Sequence, residues 1–107
     1  MEEHAVIVTF EYTADSLDPL VELEEQLETA ISEAGVGEYD GHEIAVDLSD
    51  GSLYMYGPDA EALFAVVQPL LAAAKILERA QVTLRFGPPE EGVRERVVEL
   101  DGGPGAT

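Results

Sequence analysis

Hydrophobic residues change their spacing along this chain, and the order of the changes limits the folds that it can adopt. They alternate with other residues in segment 4–12, recur at helical spacing in segment 20–34, and then repeat this cycle. Alternation puts apolar side chains on one face of a strand, whereas a period of about 3.6 residues puts them along one side of a helix. The pattern therefore predicts two β-α-β units in succession.

Two segments carry the helical spacing. The first can be capped by Asp15 or Ser16 and is expected to stop at Gly35, because glycine commonly ends a helix. Its apolar stripe consists of Leu20, Leu23, Leu27, Ala30, Ile31 and Ala34. The second begins in segment 57–59, since proline suits the first helical turn and Asp59 suits its positive dipole end. Its stripe consists of Leu63, Val67, Leu70, Leu71 and Ala74.

A hairpin is predicted between the two helices. The dipeptide Asp50–Gly51 is a strong signal for a two-residue turn, because a type I′ turn needs positive φ at both positions. Segment 38–42 is then a loop, and segment 43–48 is the strand before the turn. The pairs that face the core are Leu48 with Leu53 and Val46 with Met55. This register puts Tyr54 and Tyr56 on the opposite, helix-free face of the sheet.

Further strands are predicted at 81–86 and, as a possible edge strand, at 93–100. The complete order, β-α-β-β-α-β with a possible fifth strand, is that of the ferredoxin-like split β-α-β fold. We therefore expect a single α+β domain in residues 1–100, with an antiparallel sheet and two helices on one face. The first and third strands would be central. Residues 101–107 are rich in glycine and are expected to form a flexible tail.

The charge of the chain is strongly negative and unevenly distributed. There are 23 acidic and 5 basic residues, and residues 1–61 contain 17 of the acids and no Lys or Arg. Such a surface repels nucleic acids and anionic lipids but attracts a basic protein. Solubility or adaptation to a salty cytoplasm would produce the same composition. We therefore expect no nucleic-acid and no membrane partner, which leaves a basic protein or a second copy of the chain.

The first predicted helix concentrates acids on its outer face. These acids are Asp18, Glu22, Glu25 and Glu33, with Glu24 and Glu28 on a flank. An ordinary solvated helix mixes charges, because Glu and Lys at i,i+4 stabilise it by about 0.2–0.5 kcal/mol per pair. This helix contains no Lys or Arg. Its outer face is therefore a candidate docking surface for a basic protein.

Tyr54 and Tyr56 form a second candidate binding surface on the helix-free face of the sheet. In this fold class the same position carries the stacking aromatics of RNA-binding domains, but the basic residues that such domains use are missing here. Tyrosine is instead favoured at protein interfaces, because its ring is apolar and its hydroxyl group stays hydrogen-bonded. A dimer or partner interface is therefore the hypothesis for these two residues.

The candidate metal ligands lie close together in the sequence at Asp40, His42 and Glu43. Their spacing matches no calcium loop, and zinc sites usually use more than one histidine, whereas His4 is the only other one. The chain has no cysteine, and no glycine-rich phosphate loop opens a helix. We therefore predict no metal, no cofactor and no recognisable catalytic residue.

The longest apolar segment, 63–74, contains Gln68 and Pro69 and is too short to span a bilayer. The acidic N-terminal residues lack the basic region of a signal peptide, so a cytoplasmic protein is expected.

The preferred functional hypothesis is a non-enzymatic, acidic protein-binding module, such as an inhibitor or immunity-type protein that neutralises a basic partner. The first alternative is a homodimeric regulatory or small-ligand-binding domain that uses the open sheet face. The second alternative is an enzyme that uses the predicted Asp40–Glu43 loop.

Overall fold

The five strands are β1 (His4–Tyr12), β2 (Glu38–Ile44), β3 (Asp50–Gly57), β4 (Leu77–Arg85) and β5 (Glu95–Glu99), and the two helices are α1 (Asp18–Ala34) and α2 (Ala60–Ala73). All strand pairs are antiparallel, and the sheet order is β2-β3-β1-β4-β5. The computed structural model describes residues 3–88 and 92–100, so the predicted tail at 101–107 lies outside the described residues. The architecture is the predicted ferredoxin-like α+β fold, with β1 and β3 central and the predicted fifth strand at the edge beside β4.

The core lies between one face of the sheet and both helices. The buried side chains of α1 are Leu20, Leu23, Leu27 and Ile31, and those of α2 are Ala60, Leu63, Phe64, Val67 and Leu71. They belong to one cluster with the inward-facing residues of the sheet, among them Val6, Val8, Leu53, Met55, Val82 and Leu84. Burying one such aliphatic side chain contributes about 1.5–3 kcal/mol. The predicted stripe of α1 is thus confirmed in its larger residues, whereas Ala34 at its end is exposed.

The two helices start differently from one another. The residue before α1 is Leu17, and no side chain caps this end, so the predicted capping role of Asp15 or Ser16 is wrong. The hydroxyl of Tyr12 donates to the carbonyl oxygen of Ser16, which anchors the segment without a cap. At α2, the carboxylate of Asp59 accepts hydrogen bonds from the first-turn N–H groups and is therefore the N-cap, which satisfies two of the donors that a helix start leaves free.

The hairpin turn lies elsewhere than predicted. Strand β2 already begins at Glu38, residues 45–49 make the connection, and Asp50–Gly51 lies inside β3. Gly51 has no positive φ; a Cβ atom there would stand 2.5 Å from the carbonyl oxygen of Glu43. Gly51 therefore permits close approach of β2 instead of forming a type I′ turn. Leu48, expected in a strand, has a φ of 62° in the connection.

The different turn changes every predicted cross-strand pair of β2. Leu53 lies opposite His42 and Met55 lies opposite Tyr39, where Leu48 and Val46 were expected. Val46 is fully exposed in the connection.

Strand β4 starts at Leu77 and ends at Arg85, earlier at both ends than the predicted segment 81–86. Its pairing with β1 is interrupted by a shift between Thr9 and Glu11, and Arg79 has a φ of 52° in this region. A bulge of this kind disturbs the regular alternation of side chains, which is why the apolar pattern alone missed the first residues of the strand.

The new register is testable through Val46. We expect Val46→Ala to change the free energy of unfolding by no more than about 0.5 kcal/mol, because the side chain is exposed. The matched control, Val82→Ala, removes the same atoms from the core and should cost about 1.5–3 kcal/mol. Urea denaturation followed by circular dichroism measures both. If the two variants lose a similar free energy of unfolding, the register with Asp50–Gly51 as the turn is correct instead.

Candidate functional site

The outer face of α1 presents its acidic side chains to solvent. Asp18, Glu22, Glu25 and Glu33 are all exposed, and Glu28 joins them on the flank. This orientation follows from the apolar stripe on the other side of the helix, because residues about 3.6 positions apart share a side. The four predicted partner-binding acids therefore form one solvent-facing surface, which we call the acidic face of α1.

None of the basic side chains forms an ion pair with this face, although Lys75 lies near its Glu22 end. All 5 Lys and Arg residues lie in the described part of the chain. Within that part, Arg79 approaches Glu11 at 3.9 Å and Arg96 approaches Glu61 at 3.4 Å. Arg85 donates to a backbone carbonyl group, and Arg94 lies over the ring of Phe86. No ion pair of the described residues includes an acid of the acidic face.

Glu24, on the flank of the same helix, forms a polar cluster with β2. Its Oε2 atom accepts a hydrogen bond from the hydroxyl of Tyr39 at 2.5 Å and lies 2.7 Å from Nδ1 of His42. Because a carboxylate only accepts hydrogen bonds, the ring proton is on Nδ1. The side chains of Glu24 and His42 are 15% and 27% exposed, so the cluster is largely shielded from water. It fastens α1 to the edge strand β2.

A bulge brings Tyr39 and His42 to the same side of β2. In a regular strand, residues three apart would face opposite sides of the sheet. Here the pairing with β3 shifts between Tyr39 and Gly41, and Gly41 has a φ of 145°. Asp40 is the extra residue of the bulge. Sequence reasoning missed the cluster, because Glu24 resembles its solvated neighbours and residues 38–42 were predicted to be a loop.

The three candidate metal ligands point in different directions. His42 contacts Glu24 beneath α1, whereas Glu43 accepts a hydrogen bond from the hydroxyl of Tyr54 at 2.7 Å on the opposite face of the sheet. Asp40 is exposed. Across residues 3–88 and 92–100, no group of three or more acidic or histidine side chains could hold a metal ion.

The segment proposed for catalysis is not a loop, since Asp40–Glu43 belongs to β2. A carboxylate next to a histidine is one half of a nucleophile-activating arrangement, and the other half is a hydroxyl or thiol group within reach of the second ring nitrogen. Among the described residues, no Ser or Thr hydroxyl group is hydrogen-bonded to His42. The contact between Glu24 and His42 joins helix α1 to strand β2.

A cavity of about 550 Å³ opens between α1 and the start of β2. Ile31 and Tyr39 contribute apolar surface to it, and Glu28, Glu38 and Asp40 contribute carboxylates. The negative surface therefore continues from the acidic face of α1 across the edge of the sheet.

Tyr54 and Tyr56 lie on the helix-free face of the sheet, as predicted, and both are partly exposed. Neighbouring strands extend this surface into a row across four strands, which runs Val97, Thr83, Ile7 and Tyr54. Val97 is 56% exposed. Strand β5 lengthens the sheet beyond β4 and does not cover the tyrosines. We call this surface the open sheet face.

Comparison with known proteins supports the fold. The chain is similar in structure to Rv0793 from Mycobacterium tuberculosis. The TM-score is 0.59 at 21% sequence identity, and the match covers 84% of this chain and 98% of that chain. At this identity the likeness shows the fold alone. No protein-family model and no curated protein sequence matches the chain.

No helix within the described ranges has the length and apolar character needed to cross a membrane.

Tyr39 makes the stability depend on pH in the alkaline range. Burial raises the pKa of Tyr39 above its ordinary value of 10.0, and the hydrogen bond to Glu24 and nearby negative charge add to the effect. The folded state thus holds the phenol proton more tightly than the unfolded state. The contribution of Tyr39 to stability is complete below the unfolded pKa and is lost as pH rises towards the folded pKa.

We expect the urea midpoint to fall between about pH 9 and about pH 11, and to fall less steeply in Tyr39→Phe. At about pH 8 the variant should be less stable than the wild type, because the carboxylate of Glu24 loses a donor. Since Tyr12 and Tyr54 also have a raised pKa, part of the alkaline loss should persist. Equal slopes in the two proteins would contradict the assignment.

Proposed function

We propose that this protein is a non-enzymatic, acidic binding module that docks a basic protein through the acidic face of α1, in the manner of an inhibitor or immunity-type protein. The observation that carries the proposal is the set of exposed carboxylates that form no ion pair with a basic side chain of the described residues. Helices that are only solvated gain from mixed charges, and this helix has none of that stabilisation.

The charge supports fast and selective association. With a formal charge of −18, the molecule attracts a positively charged partner over a distance that becomes shorter as the salt concentration rises. Such electrostatic steering raises association rates by about 10–10³-fold. The same field repels nucleic acids and acidic proteins. A basic protein surface, such as the substrate cleft of an enzyme that acts on nucleic acid, has the matching chemistry.

The uncharged parts of the fold suit this role as well. The core beneath α1 is built from fully buried aliphatic residues, so the acidic side chains are held on a rigid support. A rigid surface loses little conformational entropy when a partner docks, which favours tight binding.

The proposal predicts that Glu22→Lys with Glu25→Lys slows association with the basic partner about tenfold or more and leaves the fold intact, because surface charges act mainly on the association rate. The partner is first isolated from the host at low salt on the immobilised protein. Stopped-flow mixing across a series of ionic strengths then compares the variants. A matched control, Glu95→Lys with Glu99→Lys, makes the same charge change at exposed positions of the edge strand β5, away from the acidic face.

If the α1 double variant and the control double variant have the same association rate and the same salt dependence, docking through α1 is wrong. The negative charge would then serve solubility alone.

A second candidate function is homodimerisation through the open sheet face. It is favoured by the row of Val97, Thr83, Ile7 and Tyr54, which exposes apolar and tyrosine surface on a sheet that has helices on its other side only. Arg85 is the charged residue of this face on the inner strand β4, whereas Glu43, which accepts a hydrogen bond from the hydroxyl of Tyr54, lies on the edge strand β2. A neutral centre with a charged margin is typical of protein interfaces.

For this candidate we expect Tyr54→Ser with Tyr56→Ser to abolish self-association while the free energy of unfolding changes little, because both side chains are partly exposed. Sedimentation velocity at several protein concentrations measures the association. Glu22→Lys with Glu25→Lys is the control that should not affect it. A monomeric wild type would exclude the dimer, and a stability loss above about 3 kcal/mol would identify the tyrosines as core residues.

A further inference from the structure

A groove runs between α1 and α2 on the outer surface of the helical layer. It consists of two adjoining cavities of about 250 and 490 Å³, which are continuous because Glu22, Gln26 and Leu70 line both. The apolar lining residues are Pro19, Leu23, Ala30, Leu70, Ala73, Ala74 and Ile76. This groove is distinct from the cavity beside Tyr39 and from the open sheet face.

The two walls of the groove differ in charge. Helix α1 contributes Glu22, Glu25 and Glu33, whereas the residues that α2 contributes are uncharged. Lys75, directly after α2, is the one basic lining residue and lies at the Glu22 end. Glu25 and Glu33, at the other end, face no basic residue of the groove. The unopposed negative charge is therefore concentrated along one wall, at the half that contains Glu33.

After Glu61, the exposed side of α2 lacks charge both at the groove, where Ala73 lies, and outside it, where Ala65 lies. Its exposed residues after Glu61 are Ala65, Gln68, Pro69, Ala72 and Ala73. None of them carries a charge, and together with the half-buried Leu70 they leave small, mostly apolar surface in contact with water. Contiguous apolar surface beside a charged rim is typical of sites that bind another protein.

We propose that this groove binds a basic amphipathic helix of the partner protein. The apolar stripe of that helix would contact the apolar residues of the groove, and its Lys and Arg side chains would lie against Glu25 and Glu33. The proposal rests on the proposed function, because it specifies how a basic partner uses the acidic face of α1. An amphipathic helix carries apolar and basic residues on adjacent sides, which matches one apolar and one acidic wall. The groove follows α1 from Pro19 to Glu33 for about 21 Å, enough for about four turns of a docked helix.

A second copy of this chain cannot supply that helix. Neither α1 nor α2 contains a Lys or Arg, and a copy of α1 would bring its own carboxylates to the acidic wall. Like charges that meet at an interface oppose association. The charge of the groove therefore favours a different, basic protein.

The test uses a synthetic peptide of roughly 18 residues, with Leu along one side of a helix and Lys on an adjoining side. A second peptide has the same composition in an order that destroys the stripe. Fluorescence anisotropy should show that the wild-type protein binds the amphipathic peptide at least about tenfold more tightly than the reordered peptide. We expect about tenfold weaker binding of this peptide by each of three variants, which are the double variant Glu25→Lys/Glu33→Lys and the single variants Leu70→Ser and Ala73→Gln. Ala65→Gln, on α2 outside the groove, should bind the peptide as the wild type does.

Because Leu70 is half-buried, Leu70→Ser can also destabilise the fold. Ala73 is exposed, so Ala73→Gln tests the apolar side of the groove without loss of folding. If both peptides bind equally and only the charge reversal weakens them, the groove is not the site, although docking to the acidic face stands. If the charge reversal also has no effect, no basic helix docks here. The proposed function has its own test: it is wrong if the double variant Glu22→Lys/Glu25→Lys captures the host partner as well as the wild type does. Concentration-dependent dimers that Ala73→Gln disrupts would assign the groove to a second copy and overturn the proposal.

Discussion

Four aliphatic side chains of α1 lie in the core beneath the helix, and the distribution of charge on the molecule depends on that contact. Once Leu20, Leu23, Leu27 and Ile31 are buried, the helical period leaves most of the carboxylates of α1 in solvent. Their mutual repulsion is accepted because the buried side chains together contribute several times the energy of a few exposed charge pairs. The acidic face is thus a consequence of core packing as much as of composition.

One carboxylate of α1 is used differently. Glu24 lies at the margin between core and solvent, where it meets an edge strand whose outer backbone groups pair with no other strand of residues 3–88 and 92–100. Its contacts with Tyr39 and His42 join β2 to the helix. The bulge at Gly41 makes both contacts possible.

The two broad surfaces of the fold have different chemistry. The helical layer combines an acidic helix with an uncharged one, and the groove between them has a wall of each kind. The open sheet face is neutral along the row from Val97 to Tyr54. Because the surfaces lie on opposite sides of one sheet, binding at one need not obstruct the other, so a basic partner and a second copy are compatible in geometry.

The sequence by itself determined the element order, most of the buried residues of both helices and the exposure of the acidic face, because these depend on periodicities within single segments. It missed the buried Ala60 and Phe64 of α2. It also placed Tyr54 and Tyr56 on the correct side of the sheet despite the wrong turn, since alternation within β3 does not depend on its partner. Only the tertiary structure decided the start of β2 and the role of Gly51, because Asp50–Gly51 suits both a tight turn and a close approach of strands. It also decided the Glu24 cluster, whose members are 15 and 18 residues apart and meet through packing that no local pattern encodes.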